Sequence, residues 1–446
     1  MMHNTAAQDI YHAHFARFAQ QLASNASNGS SWTQWVRRAA FSRFAAIGFP
    51  TTQEEAWKHT NVAALAKIPF TPAGYGRAAL RDNVLTRASF GQMTCPQLVF
   101  VNGHYAPELS SLQPLPAGVI VGSLAQAISA NRRSVEPHLA GYASFQKHAF
   151  VALNTAFMQD GAFIQIPSGT SVAAPIHLLF VSTAPEQATV SFPRNLIVVD
   201  RGGQATVVES YVGVEPEVYL TNAVTEVVVG EHAVINHYRL QQESKAAFHM
   251  ATLQVHQDRS SHVTSHAIAL GGALARNEVT AVLDGEGSEC TLNGLFMVAG
   301  QQHVDNQTRI EHVQPYCTSR ELYKGVLDGK GRGVFNGTIY VHKAAQKSNA
   351  KQTNKNLLLS PDAWINTKPQ LEIYNNDVKC GHGSTIGRLD EEALFYLRCR
   401  GIGLEQARSL LTYAFASEML SQINIEPMQA ALHETLHTWL SPQQRG

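Results

Sequence analysis

Hydrophobic and polar positions follow a helical period in the first part of this chain. Apolar residues recur at roughly helical spacing from Asp9 to Leu22 and again from Trp32 to Phe44, with a loop rich in Asn and Ser between them. Further along, Gln97 to Leu109 (QLVFVNGHYAPEL) has short strands about an Asn-Gly turn. These patterns therefore predict that the amino-terminal third forms a mixed helical and small-sheet domain, which ends near residue 145.

The pattern changes from Phe163 to about Ile373, where short runs rich in Val, Ile, Thr and Tyr are punctuated by Gly, Asn and Asp. Two of these runs are imperfect copies, VLDGEGSECTLNG from Val282 and VLDGKGRGVFNG from Val326. Repeated units of strand, Gly-Asp turn and strand without helical periodicity predict a stacked solenoid, a parallel β-helix. An antiparallel sandwich would give similar local signals, and periodicity alone does not separate the two folds.

Helical periodicity returns beyond Arg388. Asp390 and the two glutamates after it suit the first turn of a short helix that stops at Gly401. Pro427 suits the first turn of a last helix, and between them lies an apolar stripe. The stripe consists of Leu404, Ala407, Leu411, Ala414, Phe415, Met419 and Ile423. The predicted domains are thus 1–145, 146–387 and 388–446, the last either capping the solenoid or presenting a groove to a partner.

Composition narrows the class of protein. The 446 residues are 44% hydrophobic and only 15% charged, which is typical of a folded, sheet-rich chain of two or three domains. A formal net charge of zero gives no uniform basic field for nucleic acid or an anionic membrane. No apolar run approaches the ~20 residues of a membrane helix, and no secretion signal is evident, so we expect a cytoplasmic protein. The five cysteines, odd in number and irregular in spacing, indicate reduced thiols.

The segment from Asp377 to Gly401 (DVKCGHGSTIGRLDEEALFYLRCRG) contains two candidate metal ligands, Cys380 and His382. If Val378 to Thr385 is extended, residues two apart point to the same side and the two side chains lie together. Two ligands do not complete a tetrahedral site, which takes about four. Because the other cysteines are scattered and no CxxC occurs, a second polypeptide is expected to donate the remaining ligands. Those other cysteines are Cys95, Cys290, Cys317 and Cys399.

Three segments carry a resemblance to a known family. The segment from Asp377 to Gly401 is similar to the pattern DDVKCxHGATxGRLDExxLFYLRSRGI of SufD-type subunits, in the SufB/SufD family of the SUF iron-sulfur cluster assembly machinery. Glu54 to Thr60 (EEAWKHT) resembles its amino-terminal signature EExWKYT, and Leu153 to Pro167 (LNTAFMQDGAFIQIP) resembles the opening of its central domain. The chain departs from the pattern at His59, where Tyr is usual, and at Cys399, where Ser is common.

The resemblance implies a mainly β protein, with a right-handed parallel β-helix core between an amino-terminal helical and mixed domain and a carboxy-terminal α-helical domain. It implies a non-enzymatic scaffold that pairs with a SufB-like subunit through the β-helix and docks the SufC ATPase through its carboxy-terminal helices. A homodimer of the isolated chain is left open. His382 would be a partial ligand, and Cys380 its neighbouring thiol, for a transient iron-sulfur cluster or iron at the SufB interface, with no cofactor held permanently by this chain alone.

Two alternative functions stay open at this point. A SufB-like principal cluster scaffold would carry cysteine in the segment from Asn354 to Tyr374, which here has none. A polysaccharide-acting β-helix enzyme would need clustered acids, whereas Asp284, Glu286 and Asp328 fall at predicted turns, where carboxylates usually bind backbone amides. The Gly-rich segment Gly325 to Gly331 lacks the spacing and the hydroxyl of a phosphate loop, so we expect no ATP hydrolysis.

Histidines are unusually frequent in the predicted solenoid. A solvated strand face is expected to explain most of them, and a second metal site is the alternative. The residues concerned are His237, His249, His256, His262, His266, His303 and His312.

Overall fold

The computed structural model describes residues 10–20, 31–75, 88, 90, 93–184, 186–214 and 216–441. Helices occupy both ends of the described chain. They are α1 (residues 10–20), α2 (Ser31–Ile47), α3 (Ala63–Lys67), α4 (Leu124–Ala130), α5 (Arg132–Val135), α6 (Ala149–Phe157), α7 (Glu391–Cys399), α8 (Leu404–Leu420) and α9 (Glu426–Leu440), with 3-10 turns at Glu55–Trp57 and Pro107–Leu109.

Strands fill the region between the helices. They are β1 (Thr71–Pro72), β2 (Gln97–Val101), β3 (His104–Tyr105), β4 (Ile120–Ser123), β5 (Ala162–Ile166), β6 (Ile176–Ser182), β7 (Thr189–Ser191), β8 (Arg194–Val199), β9 (Gln204–Gly213), β10 (Tyr219–Val229), β11 (Val234–Gln242), β12 (Phe248–Gln257), β13 (His262–Ala269), β14 (Leu274–Leu283), β15 (Glu289–Val298), β16 (His303–His312), β17 (Thr318–Leu327), β18 (Arg332–Val341), β19 (Asn349–Leu358), β20 (Trp364–Ile373) and β21 (Lys379–Gly387).

These strands build a parallel β-solenoid with two sheets. The first sheet has the order β20-β18-β16-β14-β12-β10-β8-β5-β4, and the second has the order β21-β19-β17-β15-β13-β11-β9-β6-β2-β3. From β8 onward successive strands alternate between the sheets, and each turn pairs in parallel with the turn before it, as Leu274 with His303 and His303 with Arg332. The predicted parallel β-helix is confirmed and the antiparallel sandwich is wrong.

Turn chemistry explains why the two sequence copies recur. The copy from Val282 ends β14 and leads from the first sheet to the second, whereas the copy from Val326 ends β17 and leads back. Both turns contain a glycine with left-handed backbone, Gly287 with φ of 70° and Gly329 with φ of 60°. One Gly-Asp turn sequence thus serves both corners of the solenoid.

The amino-terminal region packs on the outer face of the first sheet, where a buried ion pair fixes it. Arg194 Nη2 lies 2.6 Å from Glu226 Oε2, and both side chains are fully buried. Glu226 also accepts the backbone N–H groups of Ala140, Tyr142 and Ala143 at 2.8–2.9 Å. The two buried charges are tolerated because they pair with each other and because the carboxylate also accepts these three backbone hydrogen bonds.

The segment LNTAFMQDGAFIQIP has a structural role at this junction. Asn154 Nδ2 donates to Pro193 O at 2.9 Å and to Asn222 O at 2.8 Å, so helix α6 is tied to two strands. At Gly161 any Cβ would lie 2.0 Å from Arg194 O, which only glycine avoids. The segment therefore begins the solenoid.

The segment EEAWKHT connects the amino-terminal region to later turns of the solenoid. Trp57 lies under the guanidinium of Arg276, 3.7 Å from the ring centroid. Thr60 Oγ1 donates to Asp305 Oδ2 at 2.5 Å, and Lys368 Nζ lies 2.6 Å from Glu55 Oε1. The signature segment thus spans from β14 to the last strand of the first sheet.

The carboxy-terminal helices begin and end as predicted. Asp390 Oδ1 accepts the backbone N–H of Glu392 at 2.9 Å, and Gly401 has a left-handed φ of 86° where the first helix stops. Helices α8 and α9 cover the outer face of the second sheet, and Lys324 Nζ on β17 donates to Phe415 O at 2.9 Å and pairs with Glu418. Leu404 and Ala414 of the predicted apolar stripe are exposed, so the stripe is narrower than expected.

Several smaller predictions can be compared with the structure. The Asn-Gly turn is confirmed, since β2 and β3 pair antiparallel around Asn102 and Gly103, both with positive φ. The first helix is confirmed over residues 10–20, while the loop after it lies outside the described residues. The division at residues 145 and 387 stays a prediction. Within the described ranges, no helix combines the length and the apolar character needed to cross a bilayer.

The histidine prediction is wrong for most of the set. His237, His249, His266 and His312 are at most 4% exposed, so they belong to the interior or lie beneath the helices. His237, for example, hydrogen-bonds Ser265 Oγ at 3.0 Å and lies 3.2 Å from Glu209 Oε1. The sequence pattern failed because polar side chains alternate inward as well as outward in this solenoid.

Candidate functional site

The candidate site lies where the solenoid ends. Strands β20 and β21 are the last strands of their sheets, and among the described residues each pairs on one side only, β20 with β18 and β21 with β19. Their other edges therefore expose unpaired N–H and C=O groups, which are a template for another chain. We call this surface the open end.

The register of β21 shows which way its side chains project. Cys380, His382 and Ser384 are in register with Ala350, Gln352 and Asn354 on β19, all of which are at most 2% exposed. Because residues in register on a parallel sheet share a face, the three side chains of β21 belong to the interior face of the solenoid. The structure thus confirms that Val378 to Thr385 is largely extended and that Cys380 and His382 share a face.

Cys380 is half-buried at this end. It packs against a small apolar cluster that includes Ile339, Val341 and Ala350. Burial raises the pKa of the Cys380 thiol, and a hydrogen bond with the backbone of Ala350 only partly offsets that effect. The isolated chain therefore keeps this sulfur protonated near neutral pH, and an incoming cation would have to displace the proton.

His382 is exposed, and it is in register with the buried Gln352 on the neighbouring strand β19. Within the described residues, no group of three or more His, Cys, Asp or Glu side chains converges to hold a metal ion. The two predicted ligands are therefore neighbours on one face. Any further protein ligands would have to come from beyond the open end or from outside the described part of the chain.

Large apolar side chains are exposed around this end. Trp364 and Ile373 begin and finish β20, and Ile386 lies near the end of β21 at 49% exposure. Tyr374 follows β20 and is 58% exposed. Exposed large apolar side chains beside unpaired strand edges are typical of a protein interface.

A second exposed surface lies on α7. Only Leu394 of this helix is buried, whereas Phe395 and Tyr396 are 69% and 58% exposed. These two residues line an open groove with the acidic first turn of α7 and with Leu411 of α8. Cys399, also exposed, belongs to this groove.

Sequence reasoning missed part of the open end. Ser384 and Ile386 continue the interior-facing series of Cys380 and His382, and the spacing of two along an extended segment was the signal that could have found them. Gln352 and Trp364 could not be found this way, because only the register of separate turns brings them to the site.

Comparisons with known proteins cover most of the chain. Residues 180–415 match the SufBD core domain of the SUF system for FeS cluster assembly, and residues 5–178 match the SufBD protein N-terminal region. An iron-sulfur cluster assembly SufBD family protein of Synechocystis sp. is 34% identical over 406 residues, 89% of each chain. The iron-sulfur cluster assembly protein SufD of Escherichia coli is 33% identical over 86% of this chain and 87% of its own. SufD of Bacillus subtilis is 27% identical over 64% of this chain and 65% of its own.

Proposed function

The chain belongs to the SufBD family of the SUF iron-sulfur cluster assembly system, and from this premise we propose that it is the SufD-type, non-enzymatic scaffold subunit. In this role it pairs with a SufB-like subunit through its open end and shares a nascent-cluster site there. The absence of cysteine from Asn354 to Tyr374 supports the SufD role over the SufB role.

The observation that carries the proposal is the position of the two candidate ligands on a strand with one unpaired edge. His382 and Cys380 share the interior face of β21, the last strand of its sheet. A partner strand added beside β21 would continue the sheet and bring its own side chains into register with theirs. An interface of this kind completes a ligand set that one chain leaves at two.

The donor chemistry is suited to a cargo that must leave again. A neutral imidazole is a borderline ligand, and a thiol whose pKa is raised by burial gives up its proton reluctantly. Clusters in stable proteins are commonly held by four thiolates. A mixed shell with fewer thiolates favours transient binding of iron or of a cluster, and then its release.

The groove on α7 is the proposed docking surface for a SufC-like ATPase. Phe395 and Tyr396 offer apolar anchors, and Asp390, Glu391 and Glu392 give the groove an acidic edge. Because α8 is fixed to β17 through Lys324, movement of a partner on these helices would act on the solenoid wall. ATP-driven movement of that partner could open or close the shared site.

Replacing the imidazole tests the ligand role. We expect His382→Ala to leave the fold and the assembled complex intact, because the side chain is exposed, and to lower the cluster yield of the reconstituted complex several-fold. The measurement is iron and sulfide content together with the visible absorption of the cluster. His262→Ala, at another exposed histidine, is the matched control. An unchanged cluster yield in His382→Ala would refute the role.

A separate substitution tests the ATPase groove. Phe395→Asp places a charge at the most exposed apolar residue of α7, and burying an unpaired charge in an interface is costly. We expect loss of the SufC-like subunit from the purified complex while the SufB-like subunit stays bound. Trp35→Asp, at a residue of α2 that is also 69% exposed, should leave both partners bound. Retention of the ATPase by Phe395→Asp would contradict this docking surface.

A further inference from the structure

A column of polar side chains continues inward from His382. In the second sheet His382 is in register with Gln352 on β19, and Gln352 is in register with Glu321 on β17. Gln352 is 0% exposed and Glu321 is 3% exposed. Since neighbouring strands lie about 4.8 Å apart, Gln352 is the interior-facing residue one strand inward from His382.

The amide of Gln352 is held in one orientation. Its Nε2 donates to Glu321 Oε2 at 2.8 Å. On the opposite sheet Gly337 faces this amide, and a Cβ at Gly337 would lie only 2.2 Å from Nε2. The glycine therefore leaves the space that the amide fills, and the carboxylate of Glu321 determines which end of the amide carries the N–H groups.

The other end of the amide lacks a partner. Gln352 Oε1 is buried and accepts no hydrogen bond within the described part of the chain. A buried acceptor without a partner is destabilising. The imidazole at the next register position has one N–H to offer in its neutral form, and an acceptor on its second nitrogen.

We propose that Gln352 is a positioning residue for His382: when the imidazole, exposed in this structure, turns toward the interior, Gln352 Oε1 accepts its ring N–H. This hydrogen bond selects one tautomer and leaves the lone pair of the other ring nitrogen directed out of the open end. The inference rests on the proposed function, in which that nitrogen is a ligand. Ligand histidines commonly donate their second ring N–H to such an acceptor, and removing it typically weakens metal binding 10–100-fold.

The tautomer of His382 can be measured without any cluster. We propose nitrogen NMR of the isolated chain labelled with ¹⁵N-histidine at pH 8, with the His382 signals identified by their loss in His382→Asn. The expected result is a single predominant tautomer in the natural chain and the mixture of free imidazole in Gln352→Met, which keeps the side-chain length and removes the amide. An unchanged tautomer in Gln352→Met would overturn the proposal.

A matched control separates positioning from general loosening of the core. Asn356 lies on the same strand, is 3% exposed and donates to Thr385 O, but its register partner is Ile386. Asn356→Leu should therefore lower thermal stability comparably and leave the His382 tautomer unchanged. A tautomer shift in Asn356→Leu as large as that in Gln352→Met would also overturn the proposal.

An exchange of the two side chains gives a rescue. In Glu321→Gln combined with Gln352→Glu, the new amide donates to the new carboxylate, whose second oxygen accepts the ring N–H. The exchange should restore one tautomer of His382, and failure to restore it would count against the proposal even if Gln352→Met does not fold. Cluster yield stays a separate readout. If His382→Ala does not lower that yield, the ligand role fails whatever the tautomer. If only the tautomer fails to respond, the ligand role stands.

Discussion

The two ends of the solenoid differ in almost every respect that matters for assembly. At the amino-terminal end β6 is buried at every position, and the outermost strands β3 and β4 are two and four residues long. At the open end β21 is nine residues long and all but one of its residues are exposed. Short edge strands discourage pairing and long exposed ones favour it, so among the described residues the open end is the better template for another chain. We call the opposite end the finished end.

The comparison predicts its largest effect at the open end. Ile386→Asp would place an unpaired charge inside the proposed interface, and we expect association with a SufB-like subunit to weaken about 100-fold or more. Sedimentation or co-purification measures the effect, with the circular dichroism spectrum unchanged. Trp35→Asp again serves as the control, because Trp35 is exposed far from β21 in sequence and on a helix. Full association of Ile386→Asp would show that the open end is not the contact.

At the finished end the expected effect is a loss of stability rather than of association. Arg194→Met removes one partner of a fully buried ion pair and leaves Glu226 uncompensated, which typically costs about 3–5 kcal/mol. The free energy of unfolding from urea titration measures the loss, and association should persist wherever the protein is folded. Arg132→Met is the control, since its pair with Glu136 is exposed and worth at most about 1 kcal/mol. Equal losses in the two variants would contradict the structural role of Arg194.

The pH dependence of stability sharpens the contrast further, because Glu321 is buried and forms no ion pair with any residue that the structure describes. Burial raises its pKa from 4.5 to about 7, although its interactions with Thr308 and Gln352 act in the opposite direction. Between these values the unfolded chain has lost the proton that the folded chain keeps, so stability falls as pH rises from about 4.5 to about 7. At one pKa unit per 1.4 kcal/mol, the loss reaches up to about 3 kcal/mol at pH 8.

Glu321→Gln removes this titration. We expect the variant to lose less stability than the natural chain between pH 5 and pH 8, as measured by urea unfolding at both values. Glu286→Gln, at an exposed turn, should change little. If the difference in the free energy of unfolding between the natural chain and Glu321→Gln is the same at both pH values, the raised pKa is contradicted.

The sequence predicted the local elements better than the arrangement between turns. Caps and stops such as Asp390 and Gly401 act within a few residues, so the pattern alone located them. The parallel sheets were not separable from a sandwich by periodicity, because both alternate with a period of two. The resemblance made that choice, and the pairing of Leu274 with His303 confirms it.

The site was predicted in the same partial way. Cys380 and His382 lie two apart on one strand, so the sequence was enough to place them on one face. Gln352 and Glu321 reach them only through register between turns, and inward-facing polar residues look like solvated ones in a single sequence. The same ambiguity produced the wrong prediction for His237 and the other buried histidines.

That β3 and β4 end the sheets so briefly has a consequence for stoichiometry. A solenoid with a binding surface at both ends adds subunits head to tail without limit and forms a fibre. A solenoid with one binding end can join only one other such end, and no free binding end is then left. The proposed interface at β20 and β21 would therefore give each solenoid one solenoid neighbour and end assembly there.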